Sequence, residues 1–200
     1  IVTFFSTKGG VGKTTLATNL AVYLAAELKK KVAILDFDLI SGDIAILLNI
    51  SSKSTVADLA LESEDFSFTL VNSFLVPHMS GAFLLPAPLT PEQAELVHAE
   101  QVEQILELLK ESFDYVIIDT APAYNDINLK VLEASDLILL VLNQDLTTLK
   151  HTKTALDILK TFNYMSKANL ILNQYGKGGL KLADIEKALK LSMNVIVPED

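Results

Sequence analysis

Nearly continuous apolar runs recur along the chain, and the stretches between them repeat apolar residues at helical spacing. The runs are IVTFF (1–5), KVAILDFD (31–38), AFLLPA (82–87), YVIID (115–119), LILLVL (137–142), NLILN (169–173) and NVIVP (194–198). Uninterrupted β-branched and leucine-rich segments of this length suit parallel strands covered on both faces. Between them Leu16, Leu20, Leu24 and Leu28 return at every fourth residue. Val102, Ile105, Leu106 and Leu109 keep the helical period, as do Leu182, Ile185 and Leu189. Thr90 followed by Pro91 reads as an N-cap and a first helical position. Strand alternating with helix predicts an α/β fold in three layers, a mostly parallel doubly wound sheet with helices on both faces. Ligands of such a sheet sit at the carboxyl ends of its strands. Residues 50–81 are the least regular, with short helices expected near TVADLAL and FSFTLVNSFL, as an excursion over a ligand or toward a partner.

Composition narrows the classes. Two hundred residues, half of them apolar, suffice for one domain over 1–200 with a sizeable core. No apolar run reaches the roughly 18–20 residues of a membrane-spanning helix. There is no cysteine, which removes disulfides, zinc–thiolate sites and thiol nucleophiles and fits a reducing cytoplasm. The three histidines, His78, His98 and His151, are scattered and form no metal-ligand pattern. A formal net charge of −9 argues against nucleic acid as a partner, because phosphate binding rests on clustered positive charge. All 16 basic residues are lysine. The chain opens at Ile1 on a strand-like run and closes at Asp200 after another, which reads as a piece of a longer protein.

The first strand runs into STKGGVGKTT (6–15). Strand, glycine turn, Lys-Thr and helix is the recipe for holding a polyphosphate: backbone N–H groups converge on the anion and the helix N-terminus adds its positive end. Gly9, Gly10 and Gly12 permit positive φ and close approach. Lys13 is expected to reach the β- and γ-phosphates and Thr14 to place its hydroxyl on Mg²⁺, within a nucleotide contact that runs from Gly9 through Val11 to Thr15. The strict G-x-x-x-x-G-K-[ST] spacing is not met, since Thr7 stands where its first glycine belongs. Two carboxylate sets follow. Asp36 and Asp38 are two apart on extended backbone and share a face, and Asp43 reads as the N-cap of DIAILL. YVIIDTAPA ends a buried strand in Asp119, placed to accept from a Mg²⁺-bound water. GKGG at 176–179 lacks a Ser or Thr in register and reads as a turn.

KGGVGKTT resembles the deviant Walker A motif of the ParA/MinD family of ATPases, in which a lysine precedes the paired glycines. The resemblance implies a P-loop fold with ATP or ADP and Mg²⁺ as cofactors, and an ATP-dependent homodimer in which Lys8 reaches the nucleotide of the facing subunit. Lys8, Lys13 and Asp38 are then the catalytic set. Lys8 stands in for an arginine finger that this chain has no arginine to supply, and Asp38 orients the attacking water and helps hold the metal shell. Asp119 joins Thr14 on the metal, and Asp36 braces the loop or a metal-bound water. Thr120, Ala121 and Pro122 form the second switch, with Ala-Pro-Ala where many members carry two prolines or Pro-Ala-Gly. Asn173 matches the family's adenine-reading asparagine, followed by Gln174 in place of a frequent arginine. VIVPED (195–200) is similar to the loop that covers adenine, through Pro198 and Asp200.

DFDLISGDIAILLNI, STVADLAL, LLPAPLTPEQAELV and LNQYGKGGLKLADIEKAL resemble the CpaE/TadZ branch, ATPases of pilus assembly and polar localisation in Tad/Flp-type secretion. That likeness implies a slow, partner-regulated ATPase of the bacterial cytoplasm, placed at a cell pole or a membrane-associated assembly, with pilus or secretion proteins as partners. The alternatives are a nucleotide-binding scaffold with little hydrolysis, a Min-type or flagellar-number regulator, and a ParA-type segregation ATPase. Membrane association stays open, because a basic amphipathic helix of the Min type would lie beyond these residues.

Overall fold

A computed structural model of the chain describes residues 1–199. In chain order the elements are β1 (Val2–Phe5), α1 (Lys13–Ala26), β2 (Val32–Phe37), α2 (Ile44–Leu47), α3 (Val56–Glu62), α4 (Phe68–Ser73), β3 (Val76–Pro77) and β4 (Phe83–Leu85). They continue as α5 (Pro91–Ala94), α6 (Ala99–Ser112), β5 (Tyr115–Thr120), α7 (Asp126–Ala134), β6 (Leu137–Leu142), α8 (Leu146–Thr161), β7 (Ala168–Tyr175), α9 (Leu182–Leu189) and β8 (Val195–Pro198). Among the described residues eight strands form one sheet in the order β3-β4-β2-β5-β1-β6-β7-β8. Every pairing is parallel except β3 on β4. β1 lies between β5 and β6, where the winding reverses, so the loop leaving its carboxyl end opens into the crevice such sheets use for ligands.

Alternation along the strands sorts the core. Ala33, Leu35 and Phe37 of β2 with Val116 and Ile118 of β5 face α3, α4 and α6. Phe5, Leu140 and Leu172 continue that face under α8 and α9. Phe4, Ile34 and Ile117 point the other way, against α1. Burial of the Val, Leu, Ile and Phe side chains among them contributes about 1.5–3 kcal/mol each.

Three details differ from the sequence-based expectation. The leucines spaced every fourth residue do not form the buried face of α1 alone: Ala17, Ala21 and Ala25 are buried along with Leu24, Leu16 and Leu20 are half-buried, and Leu28 lies past the helix end and is exposed. Alanine has the same spacing in this helix, and its small side chain lets the helix axis approach the sheet, which sets Lys13 against the strand ends. The segment around α3 and α4 is no cover for a ligand. Val56, Ala57, Leu59 and Val71 are in the core with Val102 and Ile105 of α6. Finally, NVIVP is not covered on both faces: among the described residues β8 pairs only with β7, and Val195 and Ile196 are 47% and 43% exposed at the sheet's edge.

Candidate functional site

The turn between β1 and α1 is held open by backbone geometry. Gly10 and Gly12 have φ of +74° and +94°, the latter at the N-cap of α1 with no side-chain cap. A residue with a Cβ is strained there. The N-terminal N–H groups of α1 thus lack an internal partner and point toward the crevice. A Cβ on Gly12 would also collide with Nδ2 of Asn173. That amide is buried and donates to the carbonyl oxygen of Val11 at 2.8 Å, pinning the turn to the end of β7.

Strand register brings the acids together. Asp36 of β2 is the direct neighbour of Asp119 of β5, which in turn neighbours Phe4 of β1. Thr14, one residue into α1, donates its hydroxyl to Asp119 Oδ2 at 2.5 Å. The other oxygen of Asp119 is buried without a partner among the described residues, as is Oδ1 of Asp36. Burial pushes Asp119 up to about 6, against the Thr14 hydroxyl bond and the charge of Lys13, which lower it, while Asp38 raises it further. Burial likewise pushes Asp36 up to about 8, opposed by the Ile44 N–H and aided by the charges of Asp119 and Asp38. Lys13 is buried too, which lowers its pKa, and the attraction of Asp119 and Asp38 works the other way. Two buried carboxylates with orphaned oxygens, Asp36 and Asp119, thus lie beside one buried lysine. The Thr14 hydroxyl and the Asp119 carboxylate are oxygen donors of the kind magnesium takes.

Asp38 lies at the mouth, half-buried, and its Oδ1 accepts from Ser41 N–H at 3.2 Å. Asp36 does not point into the opening; its Oδ2 accepts from Ile44 N–H at 3.0 Å and packs against Gly42, bracing the loop after β2. Asp43 holds the N-cap position of α2 expected from sequence but makes no side-chain cap bond, and its side chain lines the cleft. The Asp36 bond goes to the first helical N–H, that of Ile44, and not to the N–H groups a cap reaches.

The resulting cleft has a volume of about 890 Å³ and is lined by Gly9, Gly10, Gly12, Lys13, Thr14 and Thr15 on one side. Asp38, Ser41, Asp43 and the Ala121–Ala123 turn line the other, with Gln174 at the far end and Ile40, Ile46 and Leu47 at the rim. Val11, Asn173 and Pro198 lie outside this lining, and Asp200 is outside the described residues. Lys8 turns away as well. Its ammonium donates to both oxygens of Asp145, at 3.0 and 2.9 Å, and to the Thr148 hydroxyl at 2.9 Å, at the start of α8. Burial would raise Asp145, but the hydroxyl and N–H of Thr148 and the Lys8 charge together hold it at about 2.

Comparison with known proteins fits this geometry. Residues 1–172 match the family model described as an AAA domain. An ATP-binding protein of Methanocaldococcus jannaschii is 30% identical over all of this chain and 74% of its own length. The septum site-determining protein MinD of Synechocystis is 29% identical over all of this chain and 76% of its own. A ParA family ATPase from Chlorobium tepidum superposes with a TM-score of 0.91 at 25% identity, covering all of this chain and 85% of that one. The chain belongs to the ParA/MinD family of P-loop ATPases. MinD from Pyrococcus horikoshii, solved with Mg-ADP, shares the fold at 22% identity, with a TM-score of 0.85 over all of this chain and 81% of its own.

Within a ParA/MinD fold, two features had not been read from sequence. The partners of Lys8, Asp145 and Thr148, are 137 and 140 residues away, and only their N-cap pattern was locally visible: Asp145 also accepts from Thr148 N–H. The exposed rim of Ile40, Ile46 and Leu47, at 68%, 77% and 53%, was hidden in a run that looked like ordinary helix.

Proposed function

We propose that this chain is a magnesium-dependent, ATP-hydrolysing dimerisation switch, acting in pilus assembly or polar placement of a secretion system. The observation that carries the reading is the Thr14–Asp119 bond beside buried Lys13, under a turn with two left-handed glycines. Thr14 and Asp119 are the groups to hold magnesium, with Asp38 across the cleft. The ion, when bound, offsets charge on the β- and γ-phosphates. The turn N–H groups and Lys13 bind and orient the triphosphate, and Asp38 positions the attacking water. Asn173 and Pro198 serve the adenine end. The pilus assignment rests on the likeness of the segments after β2 and β7 to the CpaE/TadZ branch.

Lys8 is the cross-subunit residue in this reading, and its tether suits a switch. The Lys8–Asp145 pair is part-exposed, with side chains 31% and 44% accessible. Such a pair contributes only about 0–1 kcal/mol, so a facing nucleotide with several negative charges can draw Lys8 off it. Differential affinity for the two nucleotide states then decides which form meets a partner.

Solution mass with Mg-ADP and with a slowly hydrolysed Mg-ATP analogue tests the proposal. The expected result is a monomer with the first and a dimer with the second. Lys8→Ala should keep nucleotide binding and lose the dimer. A mass independent of nucleotide would overturn the switch and leave a static scaffold, which the Ala-Pro-Ala turn favours.

A further inference from the structure

Two hollows lie beside the cleft and share walls. One, of about 470 Å³, is bounded by Leu39 and Ile40 after β2, by α5, and by Ala121. The second, of about 580 Å³, is bounded by the start of α6, the outer side of α7, and Phe162 and Tyr164 beyond α8. Asn125 and Ile127 border both, so the hollows read as one groove crossing the N-terminus of α7. Its floor is apolar, from Leu39, Ile127, Val97 and Phe162. Phe162 is 45% exposed and stacked on Tyr164 with ring centroids 5.8 Å apart, which presents a broad apolar face to solvent.

The rim is predominantly acidic. Glu92 and Glu95 edge the first hollow, and Glu100, Asp126 and Glu133 the second, all exposed. Lys130, the lysine on the rim, is occupied by Glu103 at 3.1 Å and Glu133 at 3.3 Å. His98 is the other basic side chain there. An apolar floor inside an acidic rim is complementary to a segment with apolar anchors flanked by lysine or arginine. Nucleic acid and anionic membranes carry the same sign as the rim and are repelled by it.

We infer that this groove docks a lysine- or arginine-bearing amphipathic segment of a partner protein, seated by two apolar anchors, one per hollow. The groove shares only Ile40 and Ala121 with the nucleotide cleft, and its apolar floor and acidic rim are formed without nucleotide, so it is tested without nucleotide. The probe is a fluorescein-labelled amphipathic leucine–lysine peptide followed by anisotropy, with a leucine–glutamate counterpart beside it. The lysine peptide should bind saturably and the glutamate peptide should not. Glu95→Lys with Glu100→Lys should weaken binding about tenfold, and Phe162→Ala severalfold. The pair Glu62→Lys with Glu64→Lys makes the same change in net charge away from the groove and should bind like the parent. Circular dichroism checks that each variant is folded. Equal loss in both lysine pairs would reduce the effect to overall charge and overturn the site. So would equal binding of the glutamate peptide, or flotation of the parent with phosphatidylglycerol vesicles. Self-association that only the Glu95/Glu100 pair abolishes would also overturn it, by assigning the groove to a second copy.

Discussion

The end of the cleft proposed for phosphate and the end proposed for the base are built by different means. At the phosphate end two glycines hold positive φ, and Lys13, Asp36 and Asp119 are buried at 6%, 1% and 1% exposure. At the base end Gln174 takes φ +54° without being glycine, and its side chain is exposed and bonded to Asn143 Nδ2 at 3.0 Å. Beyond it the 176–181 loop is fastened by Gln144, whose carbonyl accepts from Leu180 N–H at 2.7 Å. One end is rigid because desolvated charge and backbone conformation tolerate no alternative. The other rests on half-exposed polar contacts of modest individual worth. Asn173 is the physical link, leaving the end of β7 to grip the carbonyl of Val11.

If the difference is real, damage to the phosphate end should be far costlier. Gly12→Val places a β-branched residue at φ +94° and drives it into Asn173. Fluorescent ATP titration should show affinity lower by about a hundredfold or more. A loss under tenfold would mean the turn relaxes without cost and would erase the contrast.

The buried acids provide a second break, read in the protein without ligand. Asp36 titrates at about 8 when folded against an ordinary 3.8. Between those values the native state binds the proton that the unfolded state has released. Stability is therefore fully present below about pH 4 and lost as pH rises through about 8, by at most about 1.4 kcal/mol per pH unit. Asp36→Asn keeps an acceptor for Ile44 N–H and removes the charge, so urea midpoints between about pH 6 and 8, above the value of about 6 at which Asp119 titrates, should lose that slope. A parent protein with no such slope would place Asp36 in a solvated setting.

Asn173 sharpens the boundary between the two ends. Removing its amide leaves the Val11 carbonyl without its partner, worth about 1–3 kcal/mol for a buried group. Asn173→Ala should weaken ATP about tenfold. The discriminating ligand is inorganic tripolyphosphate, which has no base. Weakening of both ligands assigns Asn173 to the phosphate turn, and weakening of ATP alone assigns it to adenine.

How far each end was legible follows from the range of the forces that build it. The turn from Gly9 to Thr15 and the strand-ending acids are local patterns, because positive φ, helix dipole and strand alternation act over a few residues. The run NVIVP gave no sign that it was an edge, since an edge is defined by a missing neighbour. Helix α1 carries leucine and alanine at the same spacing, so period could not choose the buried face; the volume available above the sheet did. The tether of Lys8 to Asp145 spans the chain, and the bond from Ile44 N–H to Asp36 depends on how tightly Gly42 lets the loop close. Both are tertiary choices with no local signature.

The mildest perturbation belongs to the base end. Pro198 closes the edge strand opposite Tyr175, and the loop after it is fixed by backbone, Glu199 N–H donating to the Tyr175 carbonyl at 3.1 Å. Pro198→Ala removes ring atoms and leaves that bond in place. The loss is then limited to the apolar area the ring would cover on adenine, about 0.5–1 kcal/mol, or about two- to fivefold in ATP affinity. Tripolyphosphate binding should not move, because Pro198 lies outside the cleft lining to which Gly12 belongs. A Pro198 variant that weakened tripolyphosphate as much as ATP would show the two ends to be one cooperative unit, with the strand edge as rigidly coupled to the phosphates as Asn173 is.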